Sequence, residues 1–269
     1  MTVASLLDKT AAVLRRDLLT AVRYRSSYPF QILALAAEIA GLFYLARAVG
    51  EGFRPDGVPY FPFLIVGSGF LGLAVAGVQA FASSVQEAQV TGTFEVLATC
   101  STPAIVVVVL NALSVLSGRL LMMAAYVAAG LMLVDIAVSP SGAAASLVVL
   151  VISLIITIAL GIMAAAVQVA FQKGGVVSWL VGTWMGVFSG VMFPISVLPP
   201  PLQKLAMLFP LGPSIPAMRL ALLSGAPWRD MISPILRLGG FCVVLLPASL
   251  LLFAWVLKRA RLAGTLSFY

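Results

Sequence analysis

The chain has 269 residues, 62% of them hydrophobic and 9% charged, with a formal net charge of +7 and a mean hydropathy of +1.12. Soluble domains are roughly 45–50% apolar and about 25% charged, so this balance excludes a soluble domain and predicts an all-α integral membrane protein. Histidine is absent, which removes Ser-His and Cys-His catalysis, His-ligated metals and His proton relays.

Several apolar runs of about 20 residues use most of the length, and no polar block is long enough for a second folded domain, so residues 28–269 read as a single membrane domain. The positive charge is explained by the tendency of Lys and Arg to stay on the cytoplasmic side rather than by nucleic acid. Cys100 and Cys242 make no metal-ligand spacing and read as free thiols. No metal site or cofactor is expected on this chain.

Residues 1–27 read as an amphipathic elbow. Val3, Leu6, Leu7, Leu14, Leu18 and Val22 share one arc of a helical wheel, while Asp8, Lys9, Arg15, Arg16 and Arg23 share another. The basic arc suits anionic membrane lipids at the cytoplasmic interface. No apolar core followed by a small-residue cleavage site precedes the first span, so no secretory signal is expected.

Residues 29–48 form the predicted first span, with Glu38 near its middle. An ionisable group at that depth costs on the order of 3 kcal/mol on insertion scales. Either it faces a partner or a cavity and has a function, or it is protonated or bonded to a neighbouring helix and tolerated. Residues 50–60 are rich in Gly, Pro and mixed charge and predict a short outer loop, after which residues 61–82 return. Ser68, Gly72, Ala76 and Ala80 recur every four residues there, a smooth stripe for a neighbouring helix.

Residues 83–103, SSVQEAQVTGTFEVLATCSTP, are the long polar interruption. A segment unsuited to lipid between two that need it must lie at a membrane surface, where a soluble partner can grip it. Residues 104–138 are too long for one straight span and divide into an elbow at 104–114 and a third span at about 115–138. This puts Arg119 near the cytoplasmic end, where it can snorkel, and Asp135 at the opposite end near the turn 139–142.

The fourth span, 143–171, descends to the inner turn Gln172-Lys173-Gly174-Gly175. In the fifth, 176–193, Ser178, Gly182, Gly186 and Gly190 repeat every four residues and Phe193 closes the run. This doubled small-xxx-small pattern admits a helix at close range, from a second copy of the chain or from the same subunit.

Residues 194–230 hold eight prolines, among them Pro194, Pro210 and Pro213, so no continuous span can pass through. Two short amphipathic pieces, 202–209 and 215–224, predict an outer cap, as outer helices or a re-entrant hairpin, carrying Arg219 and Gly225. The last span, 231–257, ends on Lys258, Arg259 and Arg261. Six spans put both termini on one side. That side holds nine Lys and Arg against six at the outer side, four of these in or just after the cap as a positively charged mouth, with Arg119 unassigned. This favours cytoplasmic termini.

The chain resembles the ABC-2 family of transporter permeases. An amphipathic elbow precedes six spans; Glu87, then Gly92-Thr93-Phe94-Glu95 and Thr102-Pro103, look like the family's cytoplasmic motif; and SGVMFPISVLPPPLQKLAMLFPLGPSIPAMRLALLSG looks like its signature through the fifth span and outer helices. The resemblance implies an ATPase-coupling segment at Glu87, Gly92, Thr93, Glu95 and Pro103, and two permeases working with two separate ATPase subunits that carry ATP and Mg²⁺. It also implies a bacterial or archaeal cytoplasmic membrane. Consistently, the chain has no G-x-x-x-x-G-K-[ST] phosphate loop. In place of a basic residue found after Pro103 in many relatives, this chain has AIVVVVL.

The expected function is that of an exporter subunit for a bulky amphipathic substrate: a lipid-linked polysaccharide, a lipid or a lipophilic drug. The alternative is an ion- or proton-coupled transporter using Glu38 and Asp135, which predicts paired inverted repeats and broken helices in both halves. The proline-rich break occurs once. A membrane enzyme is disfavoured by the missing histidines and the lack of a clustered acid-base set.

Overall fold

The structure, a computed structural model, describes residues 28–50, 52–93, 104–134 and 139–263. The predicted elbow 1–27, Phe94, Glu95, Cys100, Thr102, Pro103 and Asp135 lie outside the described residues.

Among the described residues the regular structure is helical: α1 (Tyr28–Val49), α2 (Tyr60–Val90), α3 (Ala104–Met132), α4 (Pro140–Phe171), α5 (Gly175–Phe188), α6 (Pro200–Leu208), α7 (Ser214–Leu222) and α8 (Trp228–Ala263). Single 3₁₀ turns lie at Pro55–Gly57 and Ile195–Val197. Local chemistry sets the boundaries. Pro59 precedes α2, and Pro140 opens α4 behind Ser139, whose side chain accepts from the Gly142 N–H. α4 stops where Gln172 turns left-handed, at φ 57°.

Five of these helices, α1, α2, α3, α4 and α8, are long and apolar enough to cross a membrane. The expected fifth of six spans is different. α5 has 14 residues, roughly 21 Å of helix, against a hydrocarbon core of about 30 Å. It ends because Ser189 leaves the helix, Gly190 takes φ +71° and Pro194 follows.

Two other boundaries move. The predicted elbow at 104–114 and the third span are one unbroken helix, α3, since neither Gly nor Pro interrupts residues 104–117. Arg119 therefore lies mid-helix, about 22 Å from one end and 20 Å from the other at 1.5 Å per residue, and not near the cytoplasmic end. The polar interruption expected from residue 83 begins as the last two turns of α2. Ser83 Oγ donates back to the Gln79 carbonyl at 2.8 Å, which lets a polar residue continue the helix.

α2 is the central element and packs against α1, α3, α4, α5 and α7, while α4 carries α8 along its length. One core cluster joins Phe70, Val78, Ile156, Met185, Ile215 and Met231 in the half that holds α7. A second joins Phe81, Val85, Ala112, Ile162 and Phe253 toward the opposite end. α1 stands at the edge, with Phe30, Ile32 and Leu33 more than half exposed, as suits a helix bathed in lipid.

The expected stripe on α2 is only partly the contact surface: Ala80 is buried, but Gly72 meets nothing within 4 Å. The tightest crossing of α2 and α4 is instead Gly161 against the ring of fully buried Phe81. Gly161→Val should therefore lower the thermal unfolding midpoint of the detergent-solubilised protein, by about 1–3 kcal/mol of overpacking. Gly240→Ala, which meets nothing within 4 Å, should leave the midpoint unchanged or slightly raised.

Candidate functional site

Where α5 breaks off, the backbone from Ser189 onward loses its helical partners inside the bundle. Unpaired carbonyls are costly there, and non-helical backbone at membrane depth is tolerated only where protein satisfies it. Arg219 of α7 meets this need. Its side chain is 5% exposed. Nη1 donates to the Gly190 carbonyl, Nη2 donates to the Val191 carbonyl at 2.8 Å, and Tyr60 Oη adds a bond to the Met192 carbonyl at 3.0 Å.

The same guanidinium ties the break to α2. Nε and Nη2 both donate to the Phe63 carbonyl, at 3.0 and 2.7 Å, and the charge sits 3.3 Å over the centre of the Phe63 ring. Gly67 makes room, since a Cβ there would run into Nη2. A guanidinium keeps its charge even when buried. Arg219, expected as part of a basic outer mouth, is thus an interior clamp; Lys204, Arg229 and Arg237 are exposed.

α7 is carried into the bundle against α4, α2 and α8, while α6, mostly exposed, stays beside the end of α5. Ser153 Oγ of α4 donates to Ser214 Oγ at the start of α7, at 3.1 Å, while Gly142 near the top of α4 lies against the Ala221 carbonyl near the end of α7. Ser153 is 13 residues into α4, roughly 20 Å along it, so the start of α7 lies beside the middle of α4 and its end beside the start of α4. Pro194 and Pro213 are buried and Pro210 is half-buried. Gly225, at φ +57°, turns the chain toward α8.

The predicted small-residue seam divides. Ser178 is buried, and Gly182 approaches Val75 of α2, which its Cβ would meet at 3.2 Å. Gly186 has nothing within 4 Å, Gly190 belongs to the break, and Phe193 is half-buried beside it. Half of the stripe therefore packs inside the subunit.

At the far end of α2, Glu87 is exposed on the last turn. Gly92 at φ +68° ends the helix, and Thr93 Oγ1 lies 2.9 Å from Thr91 Oγ1. Between them in sequence, Gln89 points inward. Gln168 Nε2 donates to Gln89 Oε1 at 3.0 Å, and the Gly174 N–H donates to Gln168 Oε1 at 2.7 Å. This clasp fastens the end of α2 to the turn between α4 and α5. Sequence reasoning missed it; the available signal was Gln168, the one glutamine within apolar α4. Glu38, the remaining predicted polar residue, accepts from Tyr126 Oη at 3.2 Å.

A bundle of long apolar helices, five of them long enough to cross a membrane, around one short broken helix defines a multi-pass helical membrane protein. The ABC-2 type transporter family matches residues 9–223, most of the chain, and the protein belongs to that family. It is a permease component of an ABC transporter; such membrane domains generally work with an ATPase subunit and lack an ATPase domain of their own. No curated protein matches the chain.

Removing the donor of a buried carbonyl costs about 1–3 kcal/mol, and Arg219 serves the carbonyls of Phe63, Gly190 and Val191. Arg219→Ala should therefore lower the unfolding midpoint in detergent more than any exposed substitution. Arg219→Lys should recover only part of the loss, because an ammonium cannot reproduce the planar fork shared among three carbonyls.

Proposed function

We propose that this chain is the membrane subunit of an ABC exporter that moves a bulky amphipathic substrate, a lipid-linked polysaccharide, a lipid or a lipophilic drug, out of the cytoplasm or inner leaflet. It works as one of two permease copies, driven by two ATPase subunits that hold ATP and Mg²⁺. The bias of Lys and Arg supports cytoplasmic termini, and with them a cytoplasmic position for Glu87.

The observation that carries the reading is the continuity of α2. Its 31 residues form one rod with exposed Glu87 at one end and, 24 residues or roughly 36 Å away, the Phe63 carbonyl that receives Arg219. An ATPase gripping Glu87, Gly92, Thr93, Glu95 and Pro103 moves the Arg219 clamp with the rod, because a packed helix shifts as a rigid body. The Gln89–Gln168–Gly174 clasp passes the same movement to α5. Predominantly apolar spans suit an amphiphile better than a hydrated ion.

The decisive measurement is ATP hydrolysis by the reconstituted permease–ATPase complex. Glu87→Lys should cut stimulation by the permease about tenfold, equivalent to ~1.4 kcal/mol of lost docking, without moving the unfolding midpoint of the permease alone. Gln168→Leu should lower both. Substrate transport by the purified chain alone, down a proton gradient, would overturn the reading.

A further inference from the structure

Two ionisable side chains lie at mid-depth in spans and border one groove. Glu38 is the eleventh of the 22 residues of α1, and Arg119 is mid-way along α3. Between them, Ser68, Gly69, Gly72 and Leu73 of α2 make a floor, with Tyr126, Met122 and Met123 beside it, enclosing about 160 Å³. Ser68 lies eight residues into α2, roughly 12 Å below its start, so the site sits well inside the apolar layer. Gly72, open on its outer side, leaves the floor unfilled.

The built part of the site is a hydroxyl pair presenting a carboxylate. Tyr126, 4% exposed, lies 2.8 Å from Ser68 Oγ and donates to Glu38. One bond at 3.2 Å leaves most of the acceptor capacity of an ionised carboxylate unused, and a guanidinium brings five donors. No ion pair joins Glu38 to Arg119 among the described residues. Arg119 is two turns from Tyr126 on the same face of α3, about 10 Å along the axis.

We propose that this groove binds the zwitterionic head group of an amphiphile, with an ammonium at Glu38 and a phosphate at Arg119. A purely anionic head would place charge against Glu38, and a purely cationic one against Arg119; in an apolar surrounding each mismatch is expensive. A head carrying both charges satisfies both residues and bridges the two levels, with the reach of the arginine closing the remainder. Its chains leave past Leu35 and the bare face of α1, and the pliable Met122 and Met123 adapt to them. The proposal rests on the amphiphile-exporter reading only in making this groove a stop on the transport path.

The test uses the purified full chain without any ATPase, its unfolding midpoint titrated with dioctanoyl phosphatidylethanolamine, dioctanoyl phosphatidylglycerol or soluble phosphoethanolamine. Saturable stabilisation by phosphatidylethanolamine is expected, at least about tenfold tighter than by either other compound. Glu38→Gln, which keeps the size and the bond from Tyr126, should erase the preference over phosphatidylglycerol. Arg119→Gln should weaken both lipids; if it does not fold, Glu38→Gln alone decides. Equal binding of the two lipids, binding of phosphoethanolamine as tight as the lipid's, or a Glu38→Gln variant that behaves as wild type would each overturn the proposal. Because no ATPase is present, a negative result leaves the exporter reading standing, and loss of that reading through Glu87→Lys leaves this one standing.

Discussion

A backbone that stops being helical inside an apolar layer must find donors and acceptors within the protein, and the fold of this chain depends on how that need is met. α5 ends at Phe188, and the carbonyls of Gly190, Val191 and Met192 receive bonds from Arg219 and Tyr60. A guanidinium is the side chain best fitted to this role, being planar, permanently charged and able to give several bonds in fixed directions. Its charge is offset by carbonyl dipoles and the Phe63 face in place of a carboxylate. The position of α7 follows from this, since Arg219 reaches the break only if α7 is carried in along α4.

α2 connects this clamp to the other end of the molecule. Its first turn supplies the Phe63 carbonyl and its last supplies Gln89, so both irregular places in the bundle are fastened to one continuous helix. Displacement of either end is resisted by close packing along the whole length, above all where Gly161 admits Phe81. Proteins transmit force along such rods because their interiors are nearly incompressible. In the proposed exporter, the exposed end of α2 is where a soluble motor applies it.

The buried polar groups fall into two kinds. Arg219, Gln168 and the Ser153–Ser214 pair serve backbone or neighbouring side chains and are enclosed. Glu38 and Arg119 are exposed on the outside of the bundle at a depth where exposure means lipid. The first kind holds the fold together. The second has no comparable packing role, which is why the groove between α1 and α3 invites a ligand.

The sequence alone determined that the protein is helical and membrane-embedded, that no continuous span passes through residues 194–230, and that the chain is kin to ABC-2 permeases. Runs of apolar residues, clustered prolines and a motif with ordered Gly, Pro and Arg are local signals that survive without a third dimension. It also singled out Glu87, Gly92 and Arg219, but only the tertiary structure decided that Arg219 faces inward, since a helix of nine residues carries no record of which neighbour it will meet. The same limit hid the Gln89–Gln168 clasp and misplaced Arg119. Pairings across 79 residues of chain depend on packing, and the continuity of α3 depends on an apolar surrounding in which a run of β-branched residues has no better alternative than helix.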